Sequence, residues 1–313
     1  MSQTNPAIIY AGLDIAKDSL QLDLAGQSHS LSHDSKGLAR LLKLLRGFPA
    51  VQVLCEATGG YERPSLRALH AASIPVCLVE AGRVRHFARA QGRRAKTDPI
   101  DARVLAEFGA ALQPAPTPPP HPAHLALRQF TSRRQQLIDT LLAEKNRAAH
   151  YPDPFSIKQS KALLRLLEKQ IDQCDQAILH CLKNDPGLGS KASRLDAIPG
   201  VGPTTAAVIL AEMPELGSLR DEAAAALAGV APFNRDSGSL TKLRPISGGR
   251  SAVRSALYMA ALSAVRYDRI LHDVYIRLRS RGKKPKVALV AVMRKLIILM
   301  NRLLKNPNFV LAP

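Results

Sequence analysis

Ala7-Ile8-Ile9-Tyr10-Ala11-Gly12-Leu13-Asp14-Ile15 is followed, three residues on, by Ser19-Leu20-Gln21-Leu22-Asp23-Leu24. The first run is apolar and β-branched, and the second alternates leucine with polar residues, the period of a half-buried strand. Residues 27–33 give a third, shorter strand. Asp34 or Ser35 then caps a helix to about Arg46, with Leu38, Leu41, Leu42, Leu44 and Leu45 as its apolar side. Residues 51–55 form a short buried strand ending at Glu56, Thr58-Gly59-Gly60 turns, residues 64–72 are helical and residues 74–79 form another strand. A basic helix or loop over residues 83–96 leads into a last helix. Three strands in a meander followed by alternating strands and helices predict an α/β fold, a mixed sheet covered by helices.

The chain has 313 residues with 44 Lys/Arg against 25 Asp/Glu, a formal net charge of +19. Residues 241–313 hold 16 Lys/Arg and two acids, Asp268 and Asp273, so +14 of that charge lies there. Such a balance points to a polyanion (DNA, RNA or an anionic membrane surface) met mainly by the C-terminal part. Trp is absent and aromatics are 4%, which argues against base stacking as the binding mode. Cys55, Cys77, Cys174 and Cys181 form no C-x-x-C pair and no zinc spacing; they read as reduced, mostly buried thiols of a cytoplasmic protein. The first residues lack the charged start and apolar run of a signal peptide. The longest apolar runs, such as residues 287–292, are too short to span a bilayer, so no membrane partner is expected.

Residues 113–123 form a proline-rich linker, which bounds a first domain at residues 6–112. A helical segment is expected over 124–186, with helices over 125–149 and 158–182. In the second of these, Leu164, Leu167, Ile171, Cys174, Ile178 and Cys181 are spaced 3-4-3-4-3. That heptad seam fits either one arm of a helical hairpin or an intermolecular coiled coil. Residues 190–313 are expected to be an all-α, mainly helical domain.

Four acids of the first domain stand out. Asp14 sits between Leu13 and Ile15, where a carboxylate is costly unless paired or bound to a cation. Glu56 ends a strand, the position that faces ligand crevices in open sheets. Asp98 and Asp101 lie in Lys96-Thr97-Asp98-Pro99-Ile100-Asp101-Ala102-Arg103. Alone, that pair reads as a helix start: Asp98 as N-cap, Pro99 at the first helical position, Asp101 favoured by the helix dipole. Together with Asp14 and Glu56, it is half of a four-carboxylate cluster. Such a cluster needs divalent cations, and oxygen-only ligands favour Mg²⁺ or Mn²⁺. Two such ions can engage the reacting oxygens of a phosphodiester.

In the C-terminal half, Ile198-Pro199-Gly200-Val201-Gly202-Pro203 matches the glycine turn of a helix-hairpin-helix. There Gly200 and Gly202 would let a backbone phosphate approach a helix N-terminus. A plain Gly-Pro helix-helix turn is the other reading. Asp236-Ser237-Gly238-Ser239 lies in a Gly-flanked polar loop near Arg244, Arg250 and Arg254. A serine there could attack a phosphate held by those cations, although Ser-Gly-Ser is also ordinary loop composition. Arg277-Leu278-Arg279-Ser280-Arg281-Gly282-Lys283-Lys284-Pro285-Lys286 is a phosphate-contacting tract, with Lys283 and Lys284 at its centre, or a solvated charged loop.

These motifs, in this order, resemble the insertion-sequence-110 family of transposases, which includes pilin-gene inverting recombinases. Gly12-Leu13-Asp14-Ile15-Ala16-Lys17, Glu56-Ala57-Thr58-Gly59-Gly60-Tyr61 and Lys96–Arg103 resemble the family's DEDD set on a RuvC-like, RNase H-type fold. Ala228-Gly229-Val230-Ala231-Pro232, Ser237-Gly238-Ser239 and Arg254-Ser255-Ala256-Leu257-Tyr258-Met259 follow in the family's order. The resemblance implies an enzyme that cuts and rejoins double-stranded donor and target DNA. It implies Mg²⁺ on Asp14, Glu56, Asp98 and Asp101, and a covalent nucleophile at Ser237, with Ser239 beside it. It also implies a structured noncoding guide RNA and a homo-oligomer, dimer or tetramer. The alternative from the residues is a RuvC-like structure-selective DNA endonuclease that uses the acids alone. A non-catalytic nucleic-acid-binding protein is a third reading, against which the intact acids argue.

Overall fold

β1 (Ile9–Ile15), β2 (Ser19–Leu24) and β3 (Gln27–Ser32) form an antiparallel meander, and β4 (Val51–Glu56) and β5 (Val76–Val79) continue the sheet in parallel on the other side of β1. The strand order is β3-β2-β1-β4-β5. The computed structural model describes residues 8–93, 97–232 and 246–309. It divides into two units, Met1–Pro119 and Pro120–Pro313.

Strand period two sorts the sheet's faces. Ala11, Leu13, Ile15, Val53 and Cys55 pack with Leu41 and Leu45 of α1 (Ser35–Arg46) and Leu69 of α2 (Glu62–Ala71). On the opposite face, Leu54, Cys77 and Val79 pack with Val84 of α3 (Ala81–Ala90) and with Val104, Leu105 and Phe108 of α4 (Asp98–Leu112). Gly12 belongs to that second face. A Cβ there would lie 1.8 Å from the Ala102 carbonyl oxygen and 2.7 Å from the Ala106 nitrogen. The α4 backbone therefore rests directly on β1, and only glycine leaves room for it.

Three local readings are corrected. Asp98 is not the cap of α4: Thr97 is, with φ −147° and ψ 152°, and its side chain makes no capping bond. The Asp101 N–H already donates to the Thr97 carbonyl at 2.9 Å, so the helix closes one residue early and Asp98 stands in its first turn. α2 begins at Glu62 rather than residue 64. β5 begins at Val76 rather than residue 74, after Pro75, which has no N–H for the ladder.

The proline-rich stretch is bonded to the first unit. Thr117 N–H donates to the Val76 carbonyl at 2.8 Å, and Leu78 N–H donates to Thr117 Oγ1 at 3.0 Å. Gln52 Nε2 donates to the Pro114 carbonyl at 2.7 Å. The stretch thus lies along the outer edge of β5, a sheet edge of the kind proteins cover to prevent further pairing.

The second unit consists of α5 (Pro122–Ala148), α6 (Pro154–Asn184), α7 (Pro186–Asp196), α8 (Pro203–Glu212), α9 (Asp221–Leu227), α10 (Ser251–Tyr267), α11 (Arg269–Ser280) and α12 (Pro285–Lys305). α5 and α6 form an antiparallel hairpin fastened by Arg134–Asp175 at 2.6 Å and Lys145–Glu168 at 3.4 Å. In the heptad seam, Leu167, Ile178 and Cys181 are buried and Leu164, Ile171 and Cys174 half-buried. The seam therefore serves the chain's own hairpin. Leu127, Ile178, Cys181 and Leu182 also share one core with Leu195, Leu210, Leu257 and Leu296. The chain turns at Asp185, which accepts the Leu188 N–H at 2.9 Å, and residues 186–190 open α7, whose Leu188 joins that same core. Among the described residues no helix is long and apolar enough to cross a membrane.

Two outcomes follow from this packing. Gly12→Ala is expected to cost about 1–3 kcal/mol through overpacking, measured as a lower urea midpoint at an unchanged m-value. Burial, with Cys77 adding to it, pushes the Cys55 thiol up to about 12. Iodoacetamide at about pH 8 should therefore leave Cys55 unmodified in the native protein and alkylate it in urea.

Candidate active site and nucleic-acid interface

The register Leu13↔Cys55 makes Asp14 and Glu56 the next pair along parallel β1 and β4. By the period of two, both belong to the face of Gly12 and Leu54, the one that α4 covers. Asp98 and Asp101 are the acids of α4's first turn, where the helix dipole favours negative charge. All four line one cavity of about 910 Å³. Asp14, Glu56 and Asp101 are half-buried and Asp98 is exposed.

The cavity's other wall is α3, which supplies Arg85 and Arg89, with Arg93 three residues past its end. Their positions are set by contacts between α3 and α4. Phe87 meets Phe108 edge-on at 5.4 Å, Arg83 lies over the Phe108 ring at 5.6 Å, and Arg93 pairs with Glu107 at 2.9 Å. Arg85 and Arg89, one helical turn apart, are exposed on the cavity side. The sequence shows them only as members of a basic run. Their i, i+4 spacing was the available signal, and it gains meaning once residues 81–90 are known to be helical.

The donor set has the chemistry of a hard divalent cation site, since it offers only carboxylate oxygens. Among the described residues no three His, Cys, Asp or Glu side chains are grouped closely enough to hold one ion. The acids share a cavity wall rather than a preformed ligand shell.

Glu62 organises the turn after Glu56 and was missed in the sequence. Its buried carboxylate accepts from Thr58 N–H at 3.1 Å, Thr58 Oγ1 at 2.9 Å and Gly60 N–H at 2.8 Å. Burial pushes this carboxyl up, but the N–H groups of Glu62 itself, Gly60 and Thr58 and the Thr58 hydroxyl outweigh it, and the net direction is down.

In the second unit, α7 and α8 are joined through the predicted glycine turn. Gly200 has φ +87°, and a Cβ there would lie 2.5 Å from the Ala264 nitrogen of α10. Its smallness serves that helix contact. Gly202 is the N-cap of α8, with open space where its side chain would be. Arg250 Nη1 donates to the Glu212 carbonyl at 2.5 Å and pairs with Glu215 at 2.6 Å, and Arg254 Nη1 donates to the Gly248 carbonyl at 2.6 Å. Arg277, Arg279, Arg281, Lys283, Lys284 and Lys286 are exposed around the α11–α12 turn. Ser237, Ser239 and Arg244 lie outside the described residues.

Residues 11–151 match the model of the DEDD transposases of IS110, and residues 192–276 match the Transposase IS116/IS110/IS902 family. The chain belongs to the IS110 family of transposases. Pilin gene-inverting proteins of Moraxella bovis and Moraxella lacunata are each 28% identical to it over 304 residues, covering 92% of this chain and 93% of theirs. An uncharacterized 43.6 kDa protein of insertion element IS110 from Streptomyces coelicolor is 32% identical over 117 residues, which is 37% of this chain and 29% of that protein. Among solved structures, Thermus thermophilus RuvC in complex with a Holliday junction substrate aligns with a TM-score of 0.28 and 17% identity, over 35% of this chain and 99% of that one.

Glu62→Gln is expected to lower stability by about 1–3 kcal/mol at neutral pH, since it removes a buried charged acceptor. The folded carboxyl titrates below the unfolded one, so this contribution is complete above the ordinary value of 4.5. It is lost as pH falls through the folded value. Urea midpoints of both proteins from pH 7 to pH 3 should converge at the acid end.

Proposed function

We propose that this protein moves or inverts a DNA element by cutting and rejoining strands of duplex donor and target DNA. One observation carries this reading: two parallel strand ends and one helix start bring Asp14, Glu56, Asp98 and Asp101 to a single cavity that Arg85 and Arg89 also wall. Family membership supports reading that cavity as the seat of a recombination reaction. Asp14, Glu56, Asp98 and Asp101 would hold Mg²⁺ or Mn²⁺, which when bound supplies Lewis-acid stabilisation of phosphoryl oxygens. Arg85 and Arg89 hold backbone phosphates of the strand entering the cavity. Such contacts position DNA without reading its sequence.

The covalent step is assigned to Ser237 in the second unit. Its Oγ bonds to the scissile phosphorus as the bond to the leaving deoxyribose oxygen breaks, and the serine's hydroxyl proton passes to that oxygen. Rejoining reverses the exchange: a deoxyribose hydroxyl attacks the phosphoserine and frees Ser237. One bond is traded for another, so no external energy source is needed. Target choice falls to a structured noncoding RNA, as the family resemblance implies. Since one serine serves one strand, the reaction needs a homo-oligomer. Lys283 and Lys284, with the N-terminus of α8 beyond Gly202, contact backbone phosphates.

Covalent protein–DNA adducts trapped on duplexes spanning the element's ends should disappear in Ser237→Ala. Adducts that persist remove Ser237 as nucleophile, and cleavage without adducts restores the structure-selective nuclease reading. Asp14→Asn is expected to slow cleavage by about 10²–10³-fold, and EDTA should abolish it. Arg89→Ala should weaken DNA binding and reduce the salt slope of log K by about one.

A further inference from the structure

The chain leaves α9, passes through residues 233–245 and returns into α10. The described residues on either side of that passage are fastened to one another. Pro232 and Ile246 form an antiparallel bridge. The Arg250 N–H donates to the Leu227 carbonyl at 2.8 Å. α9 itself ends in a Schellman turn: Val230 N–H bonds to the Ala225 carbonyl at 3.0 Å, Gly229 N–H to the Ala226 carbonyl at 2.9 Å, and Gly229 takes φ +69°. Gly249, also at φ +69°, crosses that turn so closely that a Cβ on it would lie 2.2 Å from the Gly229 nitrogen. Two glycine backbones are in van der Waals contact, and no other residue fits at either position.

Two arginines close this crossing. Arg254, one turn into α10, reaches back to the Gly248 carbonyl at 2.6 Å. Its Nη1 occupies the space above Gly229, 2.3 Å from where a Cβ there would be. Arg250 anchors the other side to the Glu212 carbonyl and to Glu215. Both residues are half-buried, and their guanidinium groups bond to the protein's own carbonyls and to Glu215.

We infer that Arg250 and Arg254 are positioning residues that clamp the neck of the segment carrying Ser237, and are not phosphate ligands for DNA. The inference rests on the serine reading above. Bonds between the two ends of a segment offset the entropy cost of closing it. A nucleophile displaced by about 1 Å can lose about 10²-fold in rate. Loss of the clamp should therefore appear in the covalent step and not in affinity. A phosphate ligand would show the reverse pattern, because its charge releases counterions on binding.

The test uses the full chain with duplex DNA spanning the element's ends and RNA transcribed from the adjoining noncoding stretch. Arg254→Lys keeps the charge but not the reach of the guanidinium; Gly229→Ala leaves every charge in place. Both are expected to lower the single-turnover rate of adduct formation at saturating DNA by at least about tenfold, with the salt slope of binding unchanged. The Arg250 amide should exchange faster with deuterium in both variants, while the Leu257 amide within α10 stays protected. Full adduct rate in Arg254→Lys, with a salt slope reduced by about one in Arg254→Gln, would overturn the inference in favour of a phosphate contact. If Ser237→Ala still forms adducts, the serine reading fails by itself. The neck is then judged by exchange, and an Arg250 amide unchanged in Gly229→Ala and Arg254→Lys refutes the clamp.

Discussion

The N-terminal unit depends on the contact between Gly12 and the backbone of Ala102. A side chain of even one carbon would collide with that carbonyl, so the absence of a Cβ fixes where α4 crosses the sheet. Everything at the acid cavity inherits its position from that crossing. α4 carries Asp98 and Asp101 in its first turn, and β1 carries Asp14 two residues beyond Gly12. The glycine and the aspartate share a face because strand side chains alternate. The same close approach lets Phe108 meet Phe87 and Arg83, which orients α3 and its arginines toward the acids. A single missing carbon thus places groups from a strand and two helices.

What the sequence disclosed of this arrangement follows physical type. Strands with alternating leucines, such as Ser19–Leu24, are legible because period two has no helical equivalent. The apolar stripe of α1 is legible for the same reason, with Asp34 capping it through the Gly37 N–H at 2.7 Å. The four acids could be singled out because buried or clustered carboxylates are expensive wherever they occur. Their common cavity needed the register of β1 and β4. Asp98 was misplaced by one residue because Asp and Thr are both good caps, and sequence alone does not say which begins the turn. Gly200 was only partly legible for a deeper reason. Close approach to a phosphate and close approach to a neighbouring helix demand the same residue, and the contact with Ala260 and Ala264 is visible only in three dimensions.

Charge was legible in sum and not in detail. The excess in residues 241–313 is real, yet several of its cations are committed inside the protein. Arg302 pairs with Asp221 at 2.6 Å, and Asn301 beside it supports the turn at Gly217 and Leu219. Arg250 and Arg254 hold backbone. The cations of the α11–α12 turn are exposed instead, although Arg279 Nη1 also donates to the Lys283 carbonyl at 2.5 Å. Density of charge sets the far field that draws a polyanion, while individual duties depend on which carbonyls and carboxylates lie within reach.

Thr117 gives the first unit an end that its helices do not announce. The last helix stops at Leu112, but the chain continues as a lid along β5, fixed by its own backbone and hydroxyl. The prolines around it have no N–H to offer on the outward side, so this border cannot recruit a further strand. A fragment cut at the end of α4 would bare two hydrogen-bonding groups of β5 and lose the partner of Gln52. The minimal self-contained piece of this half therefore extends through its proline tract, and the tract belongs to the sheet as much as to the connection it makes.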